Sequence, residues 1–502
     1  MVGSHEGRRR GLLRHQGPVT GEHHASIRGT AVTEYGKALS AQQTSIEGLT
    51  LWQLPVHGDS RGWFKENWQR EKMAAAGLPD FGPVQNNVSF NDAAGTTRGI
   101  HAEPWDKWVS VATGRIFGAW VDLREGPGFG TVFTAEIDPS VAVFVPRGVG
   151  NSYQTLERDT AYTYLVNDHW SPDAAYSFVN LGDPALAIDW PIPLSDVEIS
   201  AKDLAHPPLA DATPIAPRRV LVVGADGQLG RALRDALADA SHVEFASRAD
   251  LDLASASVAT ARRWRDYATI INAAAYTAVD TAETPEGRTA AWQANVQGVA
   301  ALARIATQNG LTLVHVSSDY VFDGSSDAPY REDAPFSPLG VYGQTKAAGD
   351  AVAATVPRHY IVRTSWVVGE GRNFVRTMAS LAGRGVAPSV VADQIGRLTF
   401  TDEIARGILH LLAAEAPYGT YNLTGGGKPS SWADVAREVY RLTGADPGAV
   451  TPVSTDEYFA SANGPVAPRP RYSVLDLARI EATGFTPRDA GESLRDYVAR
   501  LD

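Results

Sequence analysis

Hydrophobic and polar positions follow two different periods in the two halves of this 502-residue chain. Between about residues 45 and 200, short segments such as KWVSVATG, RIFGAWVDLR and AYTYLVNDHW alternate apolar and polar side chains, and glycine or proline separates them. A period of two, with many aromatic and β-branched residues, predicts antiparallel strands. The first half is therefore predicted to be an all-β sandwich or barrel.

The pattern changes at Arg219. The stretch RVLVVGADGQLGRALRDALADA is a short apolar run, a glycine turn and an amphipathic helix. Further apolar runs, ATIINAAAY, LTLVHVSSDYVFDG and HYIVRTSWVVG, are separated by helical stretches. Alternating strands and helices of this kind predict an α/β domain with a doubly wound parallel sheet covered on both faces.

Three boundaries follow from these patterns. Residues 1–44 are mildly basic and aperiodic, which predicts a mostly disordered extension. Residues 206–218 are rich in proline and alanine and also lack a period, which indicates a linker or a chain wrapping the surface. The predicted domains are therefore 45–205 and 219–502.

Composition narrows the classes of partner. The chain has 45 Lys and Arg against 57 Asp and Glu, a net charge of −12, so no cationic surface for nucleic acid is implied. Cysteine is absent, which excludes disulfides, thiolate metal sites and a cysteine nucleophile, and fits a cytoplasmic protein. No apolar run reaches the roughly 18 residues that span a bilayer, so no membrane association is expected.

Three glycines, Gly224, Gly227 and Gly230, lie where the first strand of the second half meets its helix. Glycine allows a tight turn there and a close approach of the backbone to pyrophosphate, which predicts a dinucleotide site. Arg248, at the end of the next strand, favours the 2′-phosphate of NADPH. The acids Asp250 and Asp252 follow it and leave NADH open.

Tyr342 and Lys346 are four residues apart in VYGQTKAAG, so they share one face of a helix. An ammonium beside a phenol is expected to lower the tyrosine pKa towards the working pH. Ser317 and Ser318 end a strand, where ligands bind in open α/β sheets. A tyrosine that protonates a carbonyl oxygen, with a serine hydroxyl beside it, predicts carbonyl reduction.

The second half resembles the extended short-chain dehydrogenase/reductase family, and within it the dTDP-4-dehydrorhamnose reductases. The stretches GADGQLG, INAAAYTAVDTAE, VSSDYVFDG, YGQTK, RTSWVVG, DQIGR and RPRYSVLD carry the resemblance over residues 219–502. It implies a Rossmann domain with a small substrate-binding lobe, and NADPH-dependent reduction of the C4 ketone of a nucleotide-linked 6-deoxyhexulose. Tyr342 would be the acid, Lys346 its pKa partner and ribose contact, and Ser318 the hydroxyl that orients the carbonyl.

The same resemblance implies contacts with the two ligands. Along the cofactor it places Gly227, Gln228, Leu229, Asp252, Leu253, Ala274, Ala275 and Tyr276. On the sugar side it places Asp319, Tyr320 and Trp366. The magnesium-linked carboxylates of the family cannot be placed in this sequence, so no metal is assigned and magnesium dependence stays open.

The first half poses one chemical question, the role of His101 in RGIHAEPWDK. A ketone at C4 acidifies the hydrogens on C3 and C5, so a histidine base and an acid on the opposite face would make an epimerase. Two alternatives remain: a metal ligand with Glu103, or a hydrogen-bonded core histidine.

Residues 45–205 resemble the cupin-fold dTDP-4-dehydrorhamnose 3,5-epimerases, through DSRGWFKENW, QNNVSF, RGIHAEPWDKWVSV, GRIFGAWVDLR and the run from AYTYLVNDHWSP to GDPALAIDWP. The resemblance implies a jelly-roll barrel in which His101 is the base, Asp183 its carboxylate partner and Tyr164 the proton donor. Lys107 and Arg98 would stabilise the enolate or bind substrate. Residues that would bind the nucleotide are Arg61, Glu66, Gln85, Asn87 and Trp170.

The chain departs from this family at three places, the first of which is RGIHAE where the family usually has RGLHYQ. Asn151 stands where the family has a second active-site histidine, and His169 with Trp170 replaces a stacking tyrosine pair. Epimerisation at one carbon therefore stays open beside the 3,5-reaction. A catalytically inactive first half, and a different nucleotide deoxysugar as product, stay open as well. The resemblance also implies a homodimer built on the first half.

Overall fold

The computed structural model describes residues 36–501 and divides into two compact units, Met1–Ala216 and Pro217–Asp502. Most of the predicted extension lies outside the described residues. Its last residues are ordered, because Ser40–Gln43 forms a strand that pairs with Thr50–Gln53. The SAQQ sequence of this strand is polar and exposed, so pairing of its backbone, not an apolar pattern, makes it a strand.

The first unit is all-β, as predicted. Its strands are β1 (Ser40–Gln43), β2 (Thr50–Gln53), β3 (Val56–Asp59), β4 (Gly62–Lys65), β5 (Gln85–Asn91), β6 (Thr97–Ala102), β7 (Lys107–Thr113), β8 (Ile116–Asp122), β9 (Val132–Ile137), β10 (Val141–Val145), β11 (Val149–Thr155), β12 (Thr160–Val166) and β13 (Ser177–Phe178). Two short helices are α1 (Arg70–Ala75) and α2 (Ala201–Leu204).

These strands form two antiparallel sheets, in the orders β1-β2-β10-β7-β12-β5 and β13-β6-β11-β8-β9, and a separate β3-β4 hairpin. The inward side chains of both sheets share one core, with Val109 and Val143 from the first sheet and Trp120 and Ile137 from the second. Alternation along each strand directs these apolar residues to one side.

The predicted linker packs on this unit. Ile215 is buried among Ile100, Leu123 and Leu181, and it bridges to Arg124. The segment therefore wraps the surface of the first unit, which is the second of the two interpretations that its composition left open.

The second unit is α/β. Its strands are β14 (Arg219–Val223), β15 (Val243–Ala246), β16 (Tyr267–Asn272), β17 (Thr312–Ser318), β18 (His359–Thr364), β19 (Val367–Val368), β20 (Ser389–Val391), β21 (Ile395–Gly396), β22 (Thr399–Phe400), β23 (Gly419–Asn422), β24 (Ser430–Ser431) and β25 (Thr451–Val453). Its helices are α3 (Gln228–Ala236), α4 (Pro285–Trp292), α5 (Gly298–Asn309), α6 (Val341–Ala353), α7 (Phe374–Gly383), α8 (Thr401–Ala413), α9 (Trp432–Leu442), α10 (Thr455–Phe459), α11 (Ala478–Glu481) and α12 (Ala490–Val498).

The main sheet of this unit is parallel throughout, in the order β15-β14-β16-β17-β18-β23. The chain leaves β14 towards one edge and returns to the other side of it at β16, so the glycine turn after β14 lies at a switch point, where open α/β sheets bind ligands. Separate apolar clusters cover the two faces. A third cluster, built mainly on α7, α9 and α12, forms the core of a small lobe.

The described residues contain no helix that is both long and apolar enough to cross a membrane.

Candidate functional site

In the first unit, a cavity of about 210 Å³ opens on the inner face of β6. The residues that line it are Ser89, Arg98, Gly99, His101, Glu103, Lys107, Asn151, Tyr153, Tyr162 and Tyr164. The structure thus brings together four predicted residues from three strands: His101 and Arg98 from β6, Lys107 from β7 and Tyr164 from β12.

His101 is held by a carboxylate, but the residue is Asp203 and not the predicted Asp183. The His101 Nε2 atom lies 2.9 Å from Asp203 Oδ1. The carboxylate of Asp183 instead accepts hydrogen bonds from the backbone N–H groups of Ala185 and Leu209, so it caps a short 3-10 turn. The prediction for Asp183 is therefore wrong.

Asp203 is fixed by the backbone on its other side. It lies in α2, whose N-cap Ser200 accepts a hydrogen bond from the Asp203 N–H. Its Oδ2 accepts a bond of 3.3 Å from the N–H of Gly99, and the residue is only 5% exposed. The Oδ1 atom is therefore directed at the His101 ring.

Lys107 and Tyr164 meet on the opposite wall of the cavity. The ammonium of Lys107 is paired with Glu103 and lies 5.6 Å from the centroid of the Tyr164 ring. Burial, with the negative charge of Glu103, raises the pKa of the Tyr164 phenol above its ordinary value. Tyr164 is therefore protonated at neutral pH, as a proton donor must be.

Asn151 occupies the wall beside His101. The two residues are paired across β11 and β6. The Asn151 side chain accepts a hydrogen bond of 2.9 Å from Trp120 Nε1 and donates one of 3.0 Å to the hydroxyl of Tyr162. The Asn151 amide is hydrogen-bonded on both sides and cannot act as a base. His101 is the one imidazole among the residues that line this cavity.

The predicted nucleotide-binding residues do not line the cavity. Gln85 and Asn87 are bonded to each other on the exposed face of β5, and Gln85 also contacts His169. Three others are exposed and separate from that pair, namely Arg61, Glu66 and Trp170. Trp170 has 72% of its surface exposed, so its ring is accessible for stacking on a planar group.

Sequence reasoning missed three residues of this site: Asp203, Tyr162 and His206. Tyr162 stacks on Tyr153 at 4.2 Å and lines the cavity. His206 contacts His101 edge-on at a ring separation of 5.2 Å. The SAKD stretch carries a Ser-x-x-Asp capping pattern, which predicts α2 but does not say that the aspartate faces His101.

In the second unit, the glycine turn has the geometry that a dinucleotide requires. Gly224 has a φ of +82°, and a Cβ atom there would lie 2.6 Å from the backbone N of Ala274. A Cβ on Gly230 would lie 2.3 Å from the Gly224 carbonyl. Gly227 is the N-cap of α3 and has no side chain of its own, so its position leaves the helix N-terminus open to an anion.

The fold fixes the two predicted residues that follow Gly227. The Leu229 side chain is 9% exposed and packs in the core, so only its backbone can meet pyrophosphate. The Gln228 amide donates to the carbonyl of Arg372, which fixes it at the mouth of the turn.

At the end of β15, Arg248 is exposed, whereas the carboxylate of Asp250 accepts hydrogen bonds from the N–H and hydroxyl of Ser247. Asp252 similarly accepts a bond from the Ala254 N–H. Each acid is engaged by its own loop through one carboxylate oxygen, and the exposed Arg248 side chain is the candidate for contact with a 2′-phosphate.

The segment after β16 is held by a residue that sequence reasoning did not single out. Asn295 exchanges hydrogen bonds with the backbone N–H and carbonyl of Tyr276 and donates to Thr345 on α6. It lies in a π-helical turn, residues Gln293–Gln297, between α4 and α5. Ala274, Ala275 and Tyr276 are thereby fixed between the glycine turn and α6.

Tyr342 and Lys346 lie in α6, as predicted, but their electrostatics differ from the expectation. Burial raises the pKa of Tyr342 to about 12. The hydrogen bond with the Ser318 hydroxyl lowers this pKa, whereas the negative charges of Asp319 and Asp350 raise it further. Burial also lowers the pKa of Lys346 to about 8, and its ammonium donates to the Val316 carbonyl at 2.7 Å. The prediction that Lys346 lowers the tyrosine pKa is therefore wrong for this structure, because desolvation dominates.

Ser318 and Asp319 lie beside this tyrosine at the end of β17. The Ser318 hydroxyl donates to Asp319 Oδ1 at 2.9 Å and caps the following turn. Burial raises the pKa of Asp319 to about 6, while bonds from Ser473 and Ser318 lower it. Asp319 is 3% exposed, so its carboxylate lies below the sugar side and does not line it.

A cavity of about 350 Å³ adjoins these residues in the small lobe. Its walls are largely aromatic and apolar: Tyr320, Trp366, Phe374, Met378, Val390, Val391, Trp432, Tyr458 and Phe459. The Trp366 ring stacks on Trp432 at 3.7 Å, and Tyr320 meets Tyr342 edge-on at 5.4 Å. Such walls suit a planar base and one face of a sugar.

Comparison with known proteins agrees with this division. The dTDP-4-dehydrorhamnose 3,5-epimerase family matches residues 43–211, and the RmlD substrate binding domain family matches residues 218–502. The chain belongs to both families. A protein RmlC homolog of Streptococcus pyogenes serotype M6 is 48% identical over 194 residues, which cover 37% of this chain and 98% of that protein.

Two further relatives match the reductase-family unit. A probable dTDP-4,6-dihydroxy-2-methyloxan-3-one 4-ketoreductase of Streptomyces antibioticus is 40% identical and covers 55% of this chain and 94% of its own. The crystal structure of a dTDP-4-dehydrorhamnose reductase from Bacillus anthracis in complex with NADP is 32% identical, with a TM-score of 0.52, and covers 56% of this chain and 99% of that one. The doubly wound fold of the reductase-family unit, and the epimerase family of the other unit, are thus confirmed.

Proposed function

We propose that this chain is a bifunctional enzyme of dTDP-L-rhamnose synthesis. Its first unit would epimerise dTDP-4-dehydro-6-deoxy-D-glucose at C3 and C5, and its second would reduce the C4 ketone of the product with NADPH. One observation carries the proposal: a histidine–carboxylate pair faces a lysine and a protonated tyrosine across a cavity in the unit fused to a Tyr-Lys reductase.

In the epimerase-family unit, His101 removes the proton beside the ketone, and the C–H electrons form the enolate. Asp203 stabilises the resulting imidazolium, while Lys107 and Arg98 stabilise the enolate oxygen. Tyr164 returns a proton to the opposite face, and its raised pKa keeps that proton available at neutral pH. The carbon is inverted because the two protons move on opposite faces.

In the reductase-family unit, the glycine turn and the N-terminus of α3 would hold the pyrophosphate of NADPH, and Arg248 its 2′-phosphate. NADPH supplies the hydride that reaches C4. Tyr342 donates the proton to the carbonyl oxygen as the hydride arrives, and its raised pKa keeps that proton on the phenol until then. Ser318 orients that oxygen, and Lys346 would contact the ribose.

The decisive experiment supplies dTDP-4-dehydro-6-deoxy-glucose with NADPH and follows cofactor oxidation. His101→Ala should abolish turnover and be rescued by pre-epimerised ketone, whereas Tyr342→Phe should be inactive with either substrate. His57→Ala, at an exposed histidine of β3, is the matched control and should behave as the parent. If His101→Ala oxidised NADPH as fast as the parent, the epimerase assignment would be wrong.

A second candidate is the synthesis of another deoxysugar by the same two kinds of step. The Streptomyces antibioticus relative carries the name of a different 4-ketoreductase, and Asn151 replaces a histidine at the epimerase cavity. Deuterium uptake from D2O would separate the candidates, because the 3,5-reaction labels both carbons and a single epimerisation labels one. Uptake at neither carbon would instead mean an inactive first unit. NMR of the reduced product gives the stereochemistry of the deoxysugar.

We also propose a homodimer built on the first unit and a cytoplasmic location. Three large apolar side chains on the β3-β4 hairpin and β5 are exposed: Phe64 at 64%, Val88 at 66% and Phe90 at 57%. Water-exposed apolar residues on an edge strand and on a separate hairpin favour an interface. Light scattering should give twice the chain mass, and Phe90→Asp should give the monomer.

Nucleotide-sugar and NADPH metabolism supports the cytoplasmic location.

A further inference from the structure

His206 is a buried imidazole for which the proposed epimerase reaction has no use. Its side chain is 6% exposed, and neither ring nitrogen makes a well-formed hydrogen bond. Leaving both nitrogens of a buried ring without such a bond is costly. A bound cation would give this ring a full contact in place of its weak ones to the Asp203 carboxylate and the Gly99 backbone.

The ring is directed at the pair described above. His206 Nε2 lies 3.7 Å from Asp203 Oδ1, and His101 Nε2 lies 2.9 Å from the same oxygen. One ligand atom from each of the three side chains lies within 4.8 Å of the others. Tetrahedral zinc with nitrogen and oxygen ligands separates neighbouring donor atoms by about 3.3 Å, so the two short distances bracket that value.

We propose that His101, Asp203 and His206 form a binding site for a divalent cation of the zinc class. The cation would bind the imidazole of His101, which otherwise removes the substrate proton, so cation binding would stop epimerisation. The fourth ligand is water from the cavity, because His101 is one-third exposed there while Asp203 and His206 are buried. Binding stands on this geometry alone, whereas its effect on catalysis rests on the proposed function.

The surroundings hold the three ligands in place. The Gly99 N–H fixes Asp203 Oδ2, which leaves Oδ1 for the cation. His206 stacks on Phe178 at 4.9 Å and meets His101 edge-on. Lys202, over the Phe178 ring, is the nearby opposing charge.

The test measures stoichiometry in the full-length protein after chelator treatment. Residues 1–35 contain His5, His15, His23 and His24, which can bind metal themselves, so the informative quantity is a difference between variants. The parent and His57→Gln should bind one more Co²⁺ than His206→Gln, with the intense visible absorption of a four-coordinate site. Equal stoichiometry in all three proteins, with His206→Gln folded by circular dichroism, would refute the site. Should His206→Gln not fold, His101→Gln replaces it.

A second measurement uses the unaltered protein. Zn²⁺ should lower deuterium uptake at C3 and C5 by about a hundredfold, the contribution of a general base, and EDTA should restore it. NADPH oxidation with pre-epimerised ketone should be unchanged, because the reductase-family unit does not contain the cluster. Full deuterium uptake with the cation bound would contradict the inhibition. A parent without uptake even in EDTA would refute the proposed function instead, and the cobalt spectrum would still decide the site.

Discussion

At the residue scale, the position of His101 in the epimerase cavity depends on one oxygen atom, Asp203 Oδ1. Asp203 Oδ1 is the hydrogen-bond partner of His101, and the backbone N–H of Gly99 holds the other oxygen of the same carboxylate. A carboxylate in this position fixes the orientation of the ring and stabilises the imidazolium that forms during proton removal. The rate of proton removal by His101 is therefore expected to follow the charge at residue 203.

Asp203→Asn is expected to lower deuterium uptake from D2O by about 10- to 100-fold, because an amide holds the ring but does not stabilise its charge. Asp183→Asn is the matched control. It should leave the uptake rate nearly unchanged and cost about 1 kcal/mol of unfolding free energy, since it only weakens a cap. Equal loss of uptake in both variants would show that the contact with His101 is not what matters.

The raised pKa of Asp319 predicts that the stability of the protein depends on pH. Its folded pKa is raised to about 6 from an ordinary 3.8, so the native state holds a proton that the unfolded chain releases. The contribution of this group is fully present below pH 3.8 and is lost as the pH rises through about 6. Asp319→Asn should therefore be more stable than the parent at pH 7.5, by up to about 3 kcal/mol, and similar to it near pH 4.

Urea unfolding at the two pH values measures this difference, using the transition that NADPH shifts to higher urea. A gain of equal size at both pH values would mean that the carboxylate is not desolvated as its burial implies.

At the scale of elements, the β14–α3 turn has no room for a side chain at Gly224. The φ of Gly224 is +82°, and the backbone of the Ala274 segment approaches it from β16. Two adjacent strands and one helix N-terminus thus meet at a position without a side chain. The same closeness that allows pyrophosphate to reach the backbone excludes a methyl group.

Gly224→Ala is expected to cost about 1–3 kcal/mol of stability and to weaken NADPH binding, because the new Cβ forces the two segments apart. Gly383→Ala, at the end of α7, is the control: a Cβ atom added there would have nothing within 4 Å, and alanine favours helix. Thermal unfolding and NADPH fluorescence titration measure the two effects. Identical behaviour of the two variants would contradict the close approach.

At the scale of the whole molecule, each unit has its own apolar core. Among the described residues, each of the main apolar clusters is made of residues from a single unit. Three clusters belong to the epimerase-family unit. The other three cover the two faces of the parallel sheet and fill the small lobe of the reductase-family unit. The segment 206–216 packs with the first unit through Ile215. Cooperative folding of each unit therefore does not require the other.

Separate expression of residues 36–216 and 217–502 should give two folded proteins. The first should keep deuterium uptake and the second should keep NADPH oxidation with pre-epimerised ketone, each within about twofold of the intact chain, because each site lies within one core. Activity assays and the cooperativity of unfolding measure this. A fragment that unfolds without a cooperative transition would show that its core is incomplete.

Local patterns were sufficient for the fold class and for the Tyr342–Lys346 pair. Period-two alternation predicted the all-β unit, and the change at Arg219 predicted the parallel sheet, because both periods reflect which side of an element is buried. The glycine turn and the spacing of Tyr342 and Lys346 follow from the same local geometry. His101, Lys107 and Tyr164 also reached one cavity, although only the family resemblance had paired them.

Only the tertiary structure decided which distant groups meet and how strongly water is excluded from them. Asp183 and Asp203 each precede or enter a short helical turn, and nothing in their neighbouring residues says which of the two carboxylates reaches His101. The same holds for the phenol of Tyr342, whose pKa is set by burial more than by the nearby ammonium. Sequence determines local conformation through short-range sterics and periodicity, whereas contacts across a hundred residues and desolvation depend on the path of the whole chain.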